Sequence, residues 1–356
     1  MVHFVTLNCN ARCSHCFIDF KNPETFKGNL TVEEINKMTK SVGKQLRNVN
    51  ITGGEPFLRR DLWDIAQCYF NNTSIKTMYI TTNGFFTKWI KEFIEKFIAD
   101  GRSELLIFSI SMDDYPDKHD ANRKVKGLFD KAAETYNMIR SFDQPNILVN
   151  VNLTIIPANY EEILPFYHYL VDTVGIRSFT TTIVREEGVM KIPNDLKKGI
   201  LTAYKALNEV IREDMVSGRI EGYRGGLVGQ VLNAKNVVMH DIIEKTFPNN
   251  AFVTPCYAGD LFLVVEANGN VRPCEVLPKS IGNLRDYDYD LMRLWKDKTA
   301  SDTRKWISDT KCRCTYECAA TINVLFNAKH APSLLKNVVS ITVGTAFHKY
   351  RSRKNT

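Results

Sequence analysis

Six short runs rich in β-branched residues, each parted from the next by a helix-like segment, fill residues 3–187. They begin with "VTL" at 5–7 and continue with "NVNIT", "TMYITT", "LLIFSIS", "ILVNVNLTI" and "FTTTIV". Strands that alternate with helices imply a parallel sheet with helical crossovers, so the expected class is α/β. Each apolar run stops at polar residues or glycine, and parallel sheets and barrels bind ligands at the carboxyl ends of their strands. Between the first two strands, "LTVEEINKMTKSVGKQL" predicts a helix, with Thr31 as N-cap and Glu34 closing a capping box.

The nine cysteines are clustered, where a disulfide framework would be spread along the chain. Cys9, Cys13 and Cys16 lie within eight residues, Cys68 stands alone, and Cys256, Cys274, Cys312, Cys314 and Cys318 form a late group. Nothing at the N-terminus reads as a signal peptide and no apolar run reaches the length of a membrane span, so a cytoplasmic setting is expected. Clustered cysteines in such a chain point to metal. Cys68, inside the helical pattern "LWDIAQCYF", reads as a buried small hydrophobe. Thiolate-only ligation suits zinc or iron–sulfur. Structural zinc wants a closed set of four ligands. A cubane cluster has four irons and normally four cysteines. Three cysteines leave one iron open, able to bind a small molecule and pass it an electron.

The run "CNARCSHC", followed by "GGEP" after the second strand, resembles the radical S-adenosylmethionine (SAM) enzymes, whose signature is C-x3-C-x2-C. The resemblance covers residues 3–187 and implies a partial (β/α)6 barrel of parallel strands. It implies that Cys9, Cys13 and Cys16 hold a [4Fe–4S] cluster, with SAM chelating the open iron. One electron would then cleave the sulfonium to a 5′-deoxyadenosyl radical that abstracts a hydrogen atom. The electron comes from a reductant such as flavodoxin or ferredoxin. Gly53 and Gly54, lacking Cβ atoms, are expected to let the backbone approach the ligand, and Glu55 to accept a hydrogen bond from the methionyl ammonium. His15 departs from the family's usual aromatic and reads either as a stacking partner of adenine or as a surface histidine. Asn83 and Ser111 end strands three and four, where they contact the methionine or ribose or else cap a turn. Arg123, in "KHDANRKVKG", takes the place of an arginine that reaches the SAM carboxylate. Thr154 and Asn159, near the end of strand five, are candidates for adenine and ribose contact.

The late cysteines resemble the auxiliary-cluster region of the same superfamily, called twitch when short and SPASM when full. "LFLVVEA" and "VRPCEV" flank "NGN", a strong hairpin signal. Cys256 and Cys274 stand at its two ends, and "IGNL", a tryptophan helix and "CRCTYEC" follow. Five cysteines imply one auxiliary [4Fe–4S] cluster with four protein ligands, two of them from Cys312, Cys314 and Cys318. Cys314 and Cys318 share a face if the segment is helical, Cys312 and Cys314 if it is extended. The domain reading is a partial barrel over 1–190, a helical linker over 191–250, an auxiliary-cluster domain over 251–330, and a C-terminal helix with a basic tail over 331–356. Within the linker, "PNDLKKGILTAYKALNEVIREDMVSG" predicts an amphipathic helix ending at Gly218.

The resemblance implies either a small-molecule substrate, such as an aminocyclitol, sugar or other natural-product intermediate, or a peptide to be crosslinked, epimerised or oxidised. An auxiliary cluster with four protein ligands suits an electron acceptor, which makes the expected reaction a net oxidation. Arg185, Glu186 and Glu187, at the end of strand six, read as a proton acceptor or substrate anchor, or as a salt-bridged rim. The net charge of +7 has its excess at the end of the chain, in "HKYRSRKNT". That tail reads as a solvated terminus, so neither nucleic acid nor membrane is an expected partner. The rival class is a non-enzymatic zinc-binding nucleic-acid module.

Overall fold

The computed structural model describes residues 1–186, 191–223 and 226–354, with side chains described as far as Gly344. The chain forms two compact units. The first comprises Met1–Ser111, Pro116–Val149 and Tyr257–Lys311, and the second Met112–Tyr115, Asn150–Cys256 and Cys312–Thr356.

In the first unit β1 (Val2–Thr6), β2 (Asn48–Gly53), β3 (Thr77–Thr82) and β4 (Leu105–Ser111) pair in parallel, each with the next. The connections carry α1 (Val32–Val42), α2 (Leu62–Asn72) and α3 (Thr87–Ala99), and α4 (Pro116–Arg123) and α5 (Leu128–Ser141) follow β4. The expected capping box opens α1: Thr31 accepts from the Glu34 N–H, and Glu34 accepts from the Thr31 N–H. The period of two in each strand separates two faces. Val49, Ile51, Met78, Ile80, Leu106, Phe108 and Ile110 are buried. Phe108 on this face meets Phe93 of α3, and His3 meets Tyr69 of α2. The other face carries half-buried Asn50, Thr52, Tyr79, Thr81, Ser109 and Ser111. Both faces of a parallel sheet are usually apolar, because helices cover both. Here, along β2–β4, the second face is largely polar, with Tyr79 as its one ionisable group and buried Ile107 as an apolar exception.

The expected hairpin is present, as β7 (Val264–Val265) and β8 (Asn270–Arg272), antiparallel across a turn with Gly269 in the left-handed region. It is shorter than its apolar runs suggest. Its β7 pairs in parallel with β1, so the hairpin extends the sheet of the first unit. A short β9 (Gly282–Asn283), absent from the sequence reading, pairs with β8. α9 (Leu291–Lys296) and α10 (Lys298–Asp309) complete the unit, with Trp295 donating its indole N–H to the Gly259 carbonyl at 2.5 Å.

In the second unit β5 (Ile147–Ile155, from Asn150 onwards) pairs in parallel with β6 (Phe179–Ile183). α6 (Ile163–Tyr169) connects them, and α7 (Asn194–Ser217) ends at Gly218 in the left-handed conformation, as expected. α8 (Gly226–Thr246) was not legible, because the glycines of "GYRGGLVG" mask its start and its hydrophobic periodicity is weak. α11 (Glu317–Phe326) and α12 (Ala331–Lys354) pack on α8. The segment expected as a linker is thus part of this unit's own packing. Its strands also have a neutral polar face, on which Asn150 donates to Thr180 at 2.8 Å, Thr180 to Asn152 at 3.1 Å and Thr182 to Thr154 at 3.1 Å. Among the described residues no helix is long and apolar enough to cross a membrane.

Two buried imidazoles tie stability to pH. Tyr69 and His3 Nδ1 are 2.7 Å apart, and burial, then the Arg59 charge, pushes His3 down to about 3. His240 on α8 lies 3.2 Å from the Thr181 hydroxyl and is likewise pushed to about 3, by burial and then by Lys235. Unfolded, both take up a proton near the ordinary 6.5; folded, they resist it. Their contribution to stability is therefore complete above pH 6.5 and is lost as the pH falls towards 3. The thermal midpoint should drop steadily below pH 6.5, and His3→Gln, which still offers Tyr69 an acceptor, should flatten that slope. A midpoint constant from pH 7 to 5 would contradict it.

Candidate functional site

The site begins where β1 ends. The Gly54 N–H donates to the Thr6 carbonyl and the Glu55 N–H to the Asn8 carbonyl, both at 2.8 Å. These bonds prolong the β1–β2 ladder into the cysteine loop. They also show what the two glycines are for. A Cβ on Gly53 would lie 2.1 Å from the Thr6 carbonyl oxygen, and one on Gly54 would lie 2.1 Å from that of Asn8. The space a side chain would take is filled by the chain's own backbone. Gly53 also has φ of 124°, which favours glycine.

Glu55 is fully buried. One oxygen accepts from the Phe57 N–H at 3.1 Å and the Thr82 hydroxyl at 2.8 Å, and the other accepts from the Asn83 N–H at 2.8 Å. Burial pushes the carboxyl up to about 7, and these three donors pull it down. The carboxylate thereby fastens the end of β2 to the end of β3. Asn83 passes the constraint on: its amide donates to the Asn10 side chain at 2.8 Å and lies 4.0 Å from the Cys9 sulfur.

The far side of the loop is held by the C-terminal end of α4. The Arg12 N–H donates to the Arg123 carbonyl at 2.8 Å, and Ser14 donates its hydroxyl to Asn122 at 2.6 Å and its N–H at 3.3 Å. Asn122 also lies 3.5 Å from His15 Nδ1. Asn8, Arg12, Thr82 and Asn122 went unnoticed in the sequence, because their roles depend on contacts between distant segments. Arg123 itself is buried, and its charge acts on both Cys16 and Glu55.

Cys9, Cys13 and Cys16 are half-buried and form no disulfide. Burial pushes Cys9 up to about 12 and also raises Cys16. The thiols raise one another's pKa as well, while the N–H groups of Ala11 and Ile18 point at Cys9 and Cys16 and favour the thiolates. Such a trio ionises together only around a cation, which inverts the local charge balance. Structural zinc takes a closed set of four ligands, and this loop supplies three thiols. Thiolates on separate irons of a cubane have no need to converge on one point. The donor set fits an iron–sulfur cluster.

Ser111 is half-buried at the end of β4, and its hydroxyl makes no hydrogen bond to the protein. Thr154, in the second unit, accepts from Thr182, and its N–H donates to Asp113 at 3.1 Å. Asn159 is spent on its own turn, through Ile156, Asp113 and Thr154, and is not presented to a ligand. The Arg185 guanidinium lies 4.9 Å from the Tyr316 ring centre. Glu186 forms an ion pair with Lys197 at 2.7 Å, and Glu187 lies outside the described residues.

None of the five late cysteines forms a disulfide, and Cys274 is buried. Residues 312–316 have no regular structure and α11 starts at Glu317, so Cys314 and Cys318 do not share a helical face. Cys318, in the first turn of α11, acts on Lys235 of α8. Burial pushes that lysine down to about 8, and Cys318 pulls it back up.

Residues 4–170 match the model of the radical SAM superfamily, and residues 256–319 match that of an iron–sulfur cluster-binding domain named SPASM. An AdoMet-dependent heme synthase from Methanosarcina barkeri (strain Fusaro / DSM 804) is 25% identical over 301 residues, 82% of this chain and 80% of that protein. The structure of native anSMEcpe with bound AdoMet is similar at a TM-score of 0.61 and 16% identity, over 96% of this chain and 98% of that one. Streptococcus suis SuiB bound to its precursor peptide SuiA is similar at 0.58 and 16%, over 92% and 72%. At such identities the two structures speak for the fold.

Two substitutions test the seat of the loop. Gly54→Ala drives a methyl group into the Asn8 carbonyl, so the cysteine loop must shift. Glu55→Ala leaves three buried donors unpaired, at a cost of about 3 kcal/mol or more. Both variants should fold yet retain far less iron after anaerobic reconstitution, and iron at the unmodified protein's level in both would show that the loop is seated by other contacts.

Proposed function

The chain belongs to the radical SAM superfamily and carries a SPASM iron–sulfur domain, and from that premise we propose that it oxidises a neutral, hydroxyl-bearing small molecule. The protein is an enzyme that uses SAM, a [4Fe–4S] cluster and auxiliary iron–sulfur. Cys9, Cys13 and Cys16 would hold the first cluster, and the late cysteines the auxiliary one. Bound there, the clusters and SAM would supply the radical that removes a hydrogen atom from the substrate and an acceptor for the electron left behind, with the proton leaving to solvent. Gly53, Gly54, Glu55 and Asn83 act as positioning residues, which hold the cysteine loop against β1 and β3. Ser111, with a free hydroxyl, is the best placed of the strand-end residues to meet SAM, with Thr154, Arg123 and His15 as further candidates. Arg185 is the candidate substrate anchor. The ion pair of Glu186 with Lys197 favours the rim reading for that residue.

The observation that carries the substrate reading is the neutral polar face of the strands. Asn50, Thr52, Thr81, Ser109 and Ser111 in one unit, and Asn150, Asn152, Thr154, Thr180 and Thr182 in the other, offer amides and hydroxyls without a formal charge. Such groups match hydroxyls and amides of a ligand. A porphyrin brings carboxylates, which call for cations, and these strands offer none among the described residues. A peptide is the second reading. Its backbone is also neutral and polar, and the likeness to SuiB, whose structure holds a precursor peptide, supports it.

The test is anaerobic turnover with SAM and a reductant, following 5′-deoxyadenosine. Sugars or cyclitols should raise its formation at least several-fold above the substrate-free rate, with oxidised product in proportion. Stimulation by porphyrins alone would overturn the reading, and stimulation by peptides alone would install the second one. Cys13→Ala should abolish 5′-deoxyadenosine formation in every case, since all three thiolates are needed to hold the cluster.

A further inference from the structure

Lys235 is a buried cation without a carboxylate partner among the described residues. It sits in the middle of α8 with 8% of its surface exposed. Its ammonium donates one hydrogen bond, to the Thr321 hydroxyl at 3.4 Å, and forms no ion pair with Asp or Glu. Thr321 in turn donates to the Met239 sulfur at 3.3 Å. Lys235 and Met239 are four apart on α8, while Cys318 and Thr321 are three apart on α11, so each pair lies on one helix face. The two faces meet, and the Cys318 sulfur is the acidic group that acts on the ammonium.

A lone buried charge is among the most costly features a fold can carry, and it persists where an anion offsets it. No carboxylate serves here. A thiolate at Cys318, sharing the negative charge of an iron–sulfur cluster, would serve. We propose that Cys318 is a ligand of the auxiliary cluster and that Lys235 is a positioning residue that raises the cluster's reduction potential. The proposal rests on the auxiliary-cluster reading above. Reduction adds one negative charge to the cluster, and a cation held close by in a medium of low dielectric stabilises the reduced form more than the oxidised one. An acceptor that must take an electron from a substrate radical gains driving force from this. The lysine is thereby a tuning group, without contact to the substrate.

The experiment is a dye-mediated redox titration of the reconstituted full-length protein, followed by electron paramagnetic resonance, with Lys235→Met and Lys235→Arg. Lys235→Met keeps an unbranched side chain only one atom shorter and removes the charge. Its auxiliary cluster should be about tenfold harder to reduce, which is about 59 mV lower for a one-electron couple. Lys235→Arg keeps the charge and should stay near the unmodified value. The apoprotein of Lys235→Met should melt no lower than the unmodified apoprotein, since a buried charge has gone. An unchanged potential in Lys235→Met with the cluster intact overturns the proposal. If Lys235→Met loses the auxiliary iron, Lys235→Arg decides: retention at the unmodified potential supports the proposal and loss overturns it. An unmodified protein that binds only about four irons would overturn the auxiliary-cluster reading itself, a separate result.

Discussion

Two backbone hydrogen bonds, from Gly54 to Thr6 and from Glu55 to Asn8, set the conditions for the rest of the site. They require β2 to run past its own last residue and lie against the chain that leaves β1. Only glycine at 53 and 54 permits that approach, because a methyl group at either position would overlap a carbonyl oxygen. The cysteine loop then has one edge bound to the sheet. Its other edge is bound to the exposed carbonyl end of α4, through Arg12 and Ser14. A loop pinned along both edges can present three thiols in a constant arrangement, which a reactive cluster demands.

The electrostatics of this loop depend on the same contacts. Glu55 brings a carboxylate into the interior, where three donors, among them the N–H of Asn83, offset its desolvation. Asn83 lies against Cys9 and Asn10, so the carboxylate governs the thiols at one remove. The second unit repeats the pattern with opposite sign. Lys235 is buried beside Cys318, with Thr321 as its one hydrogen-bond partner among the described residues. In both places a polar group is held where water would ordinarily be needed, and in both a cysteine is the neighbour.

Much of this was legible in the residues alone. The six strand runs, the capping box of α1, the end of α7 at Gly218 and the hairpin turn at Gly269 are local signals, set by side-chain period and backbone preference. α8 was not legible, because glycines obscure its start and its apolar residues do not keep to one stripe. β9 is two residues long and exists through its partner β8. Cys314 and Cys318 do not share a helical face, because α11 begins only at Glu317.

The chain by itself determined the class of fold and the chemistry, since cysteine spacing and strand–helix alternation are properties of neighbouring residues. It also singled out Gly53, Gly54 and Glu55, but not their task. Sequence can show that a position needs glycine or a carboxylate; what that residue faces is decided by segments far away in the chain. The Thr6 and Asn8 carbonyls fill the space that a Cβ would need at the two glycines, and the Thr82 hydroxyl donates to the Glu55 carboxylate. Asn122 holds the cysteine loop across more than one hundred residues of chain, at a separation of 108 from Ser14. Lys235 reads in the sequence as an ordinary helix lysine and becomes a lone buried cation only when α11 packs on α8. Burial and partnership are tertiary quantities, and they decide whether a charge is solvated, paired or available to a cluster.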